Sequence, residues 1–521
     1  MIRVRQVKVP INDNNINKYV AKKLKINENN IINLKIVKQS VDSRYKPDIY
    51  FVYEVIVKLN INYNHFNNDV LEYIDESFKL PELGNLKMNY RPVIVGAGPS
   101  GLFAAYTLAY AGFKPIIIER GKDIPERIKD VEEFWNKRII NPESNVQYGL
   151  GGAGTFSDGK LNTLIKDNEH IGEFVFKKFV ECGAPEEIMY SYKPHIGTNK
   201  LRNVISNLKS ELESMGTTFI FNKCVTNINI DNNTIKSIDL SDGTNILCDC
   251  LILAIGNASR DLFRHLYSIG VNMSSKPFAI GVRIEHKQSD VNNNAYGEDY
   301  NDILGNFSYK GTSKTKSGRG VYTFCMCPGG YVVNSASDNN QVVTNGMSDY
   351  ERDTNNANSA LIVTVNNLDY GDGVLDGIKY QESIEKNIFN KTNGLVPVQL
   401  YKDFKDNKVS NSFGSIIPIH KGDYVLSNLN ELLPKYICDS IKEAIEDISK
   451  RIPFFNDSDA ILSAPETRSS CPVRIERNEE LQTNIKGLYA CGEGAGYAGG
   501  ITTSAIDGVK VSCSIIKKYM L

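Results

Sequence analysis

Apolar and polar positions alternate with a period of two in IRVRQVKVPI (2–11), IINLKIVKQSV (31–41) and IYFVYEVIVKL (49–59), which predicts three strands. INKYVAKKLKI (16–26) and DVLEYIDESFK (69–79) space their apolar residues as helices do. Residues 1–88 therefore read as a small β-α-β-β-α unit, and PELGNLKMNYR (81–91) as a linker. The pattern then changes. Residues 92–95 are a short apolar strand, 99–111 an apolar helix rich in small residues, and 115–118 a second apolar strand. LCDCLILAIGNAS (247–259) holds another apolar strand. Residues 277–455 alternate strands with turns rich in Asn, Gly and Ser, and 487–491 followed by 503–518 read as strand and helix. The expected division is 1–88, 89–276, 277–455 and 456–521, the second and fourth pieces being parts of one domain.

Three stretches fit G-x-G-x-x-G, a pattern whose meaning depends on context. At 96–101 (GAGPSG) the context is complete. Gly96 makes the turn after the strand, and Gly98 lets backbone approach a pyrophosphate. Pro99 and Ser100 open the helix, and Gly101 lets helix pack on strand. The helix N-terminus offers unpaired N–H groups to phosphate. Glu119, with Arg120 beside it, ends the second strand 18 residues after Gly101. An acid there takes ribose hydroxyls, so FAD or NAD is expected rather than NADP. The stretch GLGGAG (149–154) follows no apolar strand. It reads as a loop against a flat ligand, with Gly152, Gly154, Thr155, Ser157, Asp158, Gly159 and Lys160 as candidate contacts. The third, GAGYAG (494–499), has a strand before it but only 22 residues after it. No second strand and no distal acid fit there, so it is expected to complete the first nucleotide domain rather than open another.

Composition narrows the class. The chain has 521 residues, 41% hydrophobic and 23% charged, with a formal net charge of −1. That suits a globular protein of two or three domains with no global field toward nucleic acid or membrane. The first residues show no apolar signal segment, so the sequence reads as cytoplasmic. The first 46 residues carry 11 Lys and Arg against 3 Asp and Glu, either a solvated face or a surface for RNA or another acidic partner. Ten cysteines do not form a disulfide framework. Neither Cys248/Cys250 nor Cys325/Cys327 has zinc spacing, and no metal site is expected.

VGAGPSGLFAAY, GLGGAGTFSDGKLNT, LILAIGNASRD, PFAIGVRIEH, FCMCPGGYVVNSAS, VVTNGMSDYERDTNNANSAL, ETRSSCPVRI and LYACGEGAGYAGGITTSAIDGVK together resemble a group of bacterial FAD-dependent dehydrogenases of unsettled substrate. The likeness runs along the whole chain. One departure is Cys471, which stands where the family's string passes from Ser directly to Pro. The resemblance implies an α/β fold: a discontinuous Rossmann-like FAD-binding domain of the glutathione-reductase type with an inserted mixed α+β cap or substrate domain. It implies one FAD, with Ala254 and Gly256 close to the cofactor and Val225 at the adenine. Gly492 and Glu493 would lie at the ribityl chain, and Gly499, Gly500, Ile501 and Thr502 at the flavin edge before a helix N-terminus.

The expected activity is oxidoreduction, a hydride passing between flavin N5 and a small metabolite, an anion among the candidates, with NAD(P)H a candidate transient donor. Candidate catalytic groups are Cys325 and Cys327 as reactive thiols, and His195 and His286 as acid/base groups. Arg283, Arg352, Arg468 and Arg474 are candidate holders of a carboxylate. Two alternatives stay open: a flavoprotein that docks RNA through its basic N-terminal unit, and a non-catalytic FAD-binding interaction protein.

Overall fold

A computed structural model describes residues 1–163, 166–298, 300 and 302–520. The N-terminal unit is a four-stranded antiparallel sheet, ordered Ile31–Tyr45, Asp48–Leu59, Ile2–Pro10, Val70–Glu72. Helix Ile16–Leu24 covers it, burying Val20 and Leu24 against Val4, Val55 and Val57. The helix expected over 69–79 does not form. Val70–Glu72 pairs with Ile2–Val4 as an edge strand, and residues 73–80 after it take no regular secondary structure. Strand pairing and the docking of Phe78 on Phe174, ring centroids 4.8 Å apart, override the local helical spacing.

The second layer is a five-stranded parallel sheet, ordered Leu488–Ala490, Leu251–Leu253, Val93–Val95, Ile116–Ile118, Thr218–Ile220. Its central strands are continuous apolar runs because both faces are covered. Helix Pro99–Tyr110 on one face packs against the C-terminal helix Ile501–Lys518. The contact is close: a Cβ on Gly508 would fall 2.1 Å from the Ser100 carbonyl oxygen. Ser512 donates to the Ala104 carbonyl at 2.9 Å. The chain thus returns after some 230 residues to complete the sheet it began.

Between these visits lies a seven-stranded mixed sheet, ordered Thr312–Lys314, Gly320–Cys327, Asn356–Val365, Phe278–Lys287, Ile461–Glu466, Val396–Leu400, Tyr424–Leu426. Helices Asp376–Thr392 and Lys435–Ser449 bury apolar faces in its core. Ile461–Glu466 is an inner strand here, which moves the expected boundary at 455 beyond residue 466. The run ILSAPE looks the same whichever sheet receives it; pairing with Phe278–Lys287 and Val396–Leu400 decides. The two crossings between layers, Met273–Ser275 and Val473–Ile475, pair antiparallel.

Candidate functional site

A cavity of about 1270 Å³ runs from the glycine turn at 96–101 to the cap sheet and reaches the N-terminal unit. Each glycine of the turn has its own reason. Gly96 sits at φ +104°, and a Cβ there would lie 2.3 Å from the Ala254 carbonyl oxygen. A Cβ on Gly101 would lie 2.0 Å from the Gly96 carbonyl oxygen. These two serve packing. A Cβ on Gly98 would meet only the Gly152 Cα at 3.9 Å, so the missing side chain leaves room in the cavity. No side chain caps the helix that follows, and its first N–H groups are free to bind an anion. Buried Glu119 also lines the cavity. Its carboxylate accepts N–H bonds from Ala97 at 2.8 Å and from Gly121 and Gly149 at 2.9 Å.

The loop 149–154 lies on this turn. Gly151 N–H donates to the Ala97 carbonyl at 2.8 Å, and Gly149, Gly151 and Gly152 are left-handed. Arg127, fully buried on helix Ile124–Lys137, holds the loop from behind. Its guanidinium donates to the carbonyls of Asn145, Val146, Leu150 and Gly152 at 2.8–3.0 Å. Burial pushes its pKa down to about 9, the nearby charge of Glu119 opposing it. Sequence reading missed Arg127, because on an amphipathic helix it looks like a surface residue.

Ala254, Gly256, Asn257 and Ala258 form a second wall. Asn257 donates to Glu493 at 2.8 Å. Desolvation pushes the Glu493 carboxyl up to about 7, the Asn257 hydrogen bond opposing it. Its folded pKa lies above its unfolded value, so its contribution is fully present below about pH 4.5 and lost as pH rises through about 7. In the cofactor-free protein, Glu493→Gln is expected to remove that fall. Melting curves from pH 5 to 8.5 should show the variant gaining up to about 3 kcal/mol over wild type at the alkaline end. Parallel pH dependence of the two would exclude a neutral buried carboxyl.

Gly499, Gly500 and Ile501 line the cavity at the N-terminus of the last helix. Thr502 turns away and donates to the Leu161 carbonyl at 2.8 Å. Also set back from the lining are Gly101, Arg120, Thr155, Val225 and Gly492. Arg120 pairs with Glu143 and Asp261 and lies over the Tyr148 ring. Thr155 donates to the Leu150 carbonyl, and Gly492 N–H to Asp507. Val225 is buried in strand Val225–Asp231, so its side chain faces the core rather than the cavity expected for an adenine contact.

On the cap side the lining includes Ser157, Asp158, Gly159, Lys160, Lys193, Tyr309, Lys310, Cys325 and Arg468. Asp158 is buried between cations: Lys160 Nζ stands 3.1 Å away and Arg352 grips both carboxylate oxygens. Desolvation works against its charge, but Arg352 and Lys160 together hold the carboxyl well below the usual range. Arg352 is thereby occupied and lines no part of the cavity. Arg283 is fully buried, bidentate on Glu466 at 2.8 and 3.0 Å and bonded to Asn358; it is sealed from any substrate carboxylate. Arg468 reaches the cavity wall but shares Glu385 with Arg260. Arg474 lies over the Tyr497 ring. His195 sits behind the wall, stacked on Tyr350 with Nε2 3.1 Å from the Tyr350 carbonyl oxygen. Burial, with Arg352 nearby, pushes its pKa down to about 4. His286 lies in the cap core against Phe454 and Phe455, and burial lowers it likewise to about 4. Neither imidazole is placed or charged to act as an acid near neutral pH.

The N-terminal end of the cavity was not legible in the sequence. Arg3, Val37, Lys38 and Glu54 line it with Tyr190 and Tyr192. The Gln39 N–H donates to the Tyr190 carbonyl at 2.7 Å and Tyr192 N–H to the Gln39 carbonyl at 2.8 Å, so backbone bonds attach the N-terminal sheet there. The basic excess of this unit is partly neutralised by pairs such as Arg3 and Arg5 with Glu54, and Lys8 and Arg44 with Asp42.

A strand-turn-helix with a distal acid, a glycine loop lying on it and a C-terminal strand and helix closing the same sheet define a dinucleotide-type flavin fold. The glycine cradle at Gly98, the uncapped helix and the carboxylate of Glu119 suit FAD. Comparison with known proteins gives the family. Residues 94–164 match the model of an NAD(P)-binding Rossmann-like domain. Residues 277–469 match that of an FAD-dependent protein, C-terminal domain-like, and 1–58 that of a domain of unknown function. A protein of Clostridium beijerinckii (strain ATCC 51743 / NCIMB 8052), described as uncharacterized, is 43% identical over 533 residues, covering 100% of this chain and 99% of that one. The chain belongs to the FAD-dependent oxidoreductase family. Solved structures are similar only remotely. Glycine oxidase from Bacillus cereus ATCC 14579 aligns over 81% of this chain and 94% of its own at 11% identity and a TM-score of 0.33. L-proline dehydrogenase from P. horikoshii aligns over 83% and 93% at 13% identity and 0.33. Among the described residues no helix is long and apolar enough to cross a membrane, and no cluster of His, Cys, Asp and Glu suits a metal.

Proposed function

We propose that this FAD-dependent oxidoreductase exchanges a hydride with a small anionic metabolite held between the loop 157–163 and the cap sheet. The observation that carries the reading is the continuity of one cavity from the glycine cradle to a wall bearing Lys160, Lys193 and Lys310. Bound FAD supplies hydride chemistry at N5. The residues named for it are Gly96, Gly98, Glu119, Gly152, Gly154, Ala254, Gly256, Glu493, Gly499, Gly500 and Ile501. The N-terminus of helix Ile501–Lys518 favours negative charge at its end of the cavity.

The lysines select the substrate. Asp158 neutralises Lys160 in part, whereas among the described residues the Lys193 ammonium meets the Ser308 carbonyl, at 2.8 Å, and the Phe307 ring, and no carboxylate. Burial, then the cations Lys310 and Arg352, push Lys193 down to about 8. An anion beside it restores the charged form. Carboxylate binding should therefore weaken as pH rises through about 8, and Lys193→Gln should flatten that dependence. Titrating the flavin absorbance with acetate, pyruvate and succinate from pH 6.5 to 9.5 checks it; pH-independent binding in wild type would rule out the clamp.

The oxidoreductase reading is tested by anaerobic titration of the purified holoprotein with NADH and with NADPH. Rapid bleaching establishes a pyridine-nucleotide donor. Bound FAD that bleaches only with dithionite moves the search to another donor. A protein that holds no FAD after reconstitution contradicts the reading. Docking of RNA is disfavoured by the pairing of Arg3, Arg5, Lys8, Lys18, Lys23 and Arg44 with carboxylates.

A further inference from the structure

Strand Gly320–Cys327 pairs with Asn356–Val365 up to Phe324 opposite Ala360 and resumes at Cys327 opposite Asn358. Two residues, Cys325 and Met326, thus face the single Ser359. That is a β-bulge, a device that re-aims side chains beside sites. Cys325 takes φ +42°, in the left-handed region a side chain rarely adopts. The bulge is held from the core: Arg283 Nη1 donates to the Cys325 carbonyl at 3.1 Å while its other donors grip Glu466 and Asn358. Cys327 Sγ lies 3.3 Å from the same carbonyl oxygen. Cys325 lines the cavity, and Cys327 is fully buried behind it. Lys160 Nζ stands 3.8 Å from Cys327 Sγ.

We propose that Cys325 and Cys327 form a redox-active dithiol/disulfide pair that exchanges two electrons with FAD bound in the adjoining cavity. Even a fully extended i, i+2 pair spans only about 6.6 Å between Cα atoms, inside the range a disulfide bridges. Closing the pair forms one Sγ–Sγ bond and breaks two S–H bonds. The two electrons and two protons released convert FAD to FADH2, and the reverse step restores both thiols. The surroundings favour a thiolate at Cys325: a hydrogen bond from the Cys327 thiol, together with Lys160 and Arg283, outweighs its desolvation, so its pKa is lowered while that of Cys327 is raised. Burial pushes Cys182, Cys248, Cys250, Cys438, Cys471, Cys491 and Cys513 the other way. In this arrangement Arg283 is a positioning residue for the bulge. The proposal rests on the reading above only in taking FAD into the cavity, not on the metabolite or on Lys193.

The test is an anaerobic dithionite titration of the air-oxidised holoprotein, with mass spectrometry of the alkylated peptide containing residues 325 and 327. Wild type should take up about four electrons per chain, and Cys325→Ser and Cys327→Ser about two each. The oxidised wild-type peptide should carry no alkyl group at either cysteine and weigh about 2 Da less than the dithiol form. Should a variant fail to fold, the peptide mass in wild type equilibrated in glutathione buffers decides. A holoprotein that takes up about two electrons with both thiols alkylated overturns the pair and leaves the flavin reading intact. A chain that holds no FAD overturns both.

Discussion

The Arg127→Met variant is expected to purify without flavin and to be less stable than wild type by on the order of 3 kcal/mol. Methionine fills much of the same space and removes the desolvation of a buried guanidinium. It supplies no donor, and the carbonyls of Asn145, Val146, Leu150 and Gly152 lose the group they share. Unpaired buried carbonyls cost about 1–3 kcal/mol each unless the backbone moves. The backbone that moves is the loop 149–154, already committed to left-handed glycines. Loss of the loop's fit to Gly98 then removes one wall of the cradle. Flavin content after reconstitution and urea melts of the cofactor-free protein measure the two effects. A variant that retains full flavin would show that the loop stands without Arg127.

Gly98→Val is likewise expected to abolish FAD binding, but with the fold left in place. The residue takes φ −78° and ψ −179°, a conformation open to valine. The nearest atom to an added Cβ is 3.9 Å away, so the branched side chain grows into the cavity rather than into protein. The cofactor-free stability should stay within about 1 kcal/mol of wild type. FAD affinity should fall at least about a hundredfold, or about 2.7 kcal/mol. Gly101→Val is the control of opposite kind. Its Cβ would lie 2.0 Å from the Gly96 carbonyl oxygen, and it should fail to fold. Retention of FAD by Gly98→Val would mean that the cofactor does not pass over this turn.

The two glycine variants also separate what the sequence shows from what it hides. The cradle was legible because strand, turn, helix and acid are consecutive within about 30 residues, each imposing its own local pattern. The failure of 494–499 to open a second nucleotide domain followed from the same rule. Arg127, Asn257 and the bulge at Cys325 were not legible, because their partners are backbone carbonyls or side chains brought from other layers. His195 and His286 were conspicuous as residue types, but burial against aromatic rings was decided by packing. The segment 69–79 has helical spacing and became an edge strand because Ile2–Val4 offered a partner. The carboxylate-holding role considered for Arg283, Arg352, Arg468 and Arg474 depends on which arginines lack an acidic partner. Glu466, Asp158 and Glu385 are all distant in sequence from the arginines they pair with.

The return of the chain to its first sheet has a consequence for how the protein is made. Strand Leu488–Ala490 and helix Ile501–Lys518 close the cavity opened by Val93–Val95 and helix Pro99–Tyr110. The linker is bound to that same end, Gly84 N–H donating to the Ile516 carbonyl at 2.8 Å. On a ribosome adding about 5–20 residues per second, the early half-domain waits for tens of seconds without its closing elements. The cap sheet cannot close before Ile461–Glu466 arrives either. Cofactor loading therefore waits for the last helix, and chains that stop short of it are apoproteins with an open apolar face, the natural clients of chaperones and proteases.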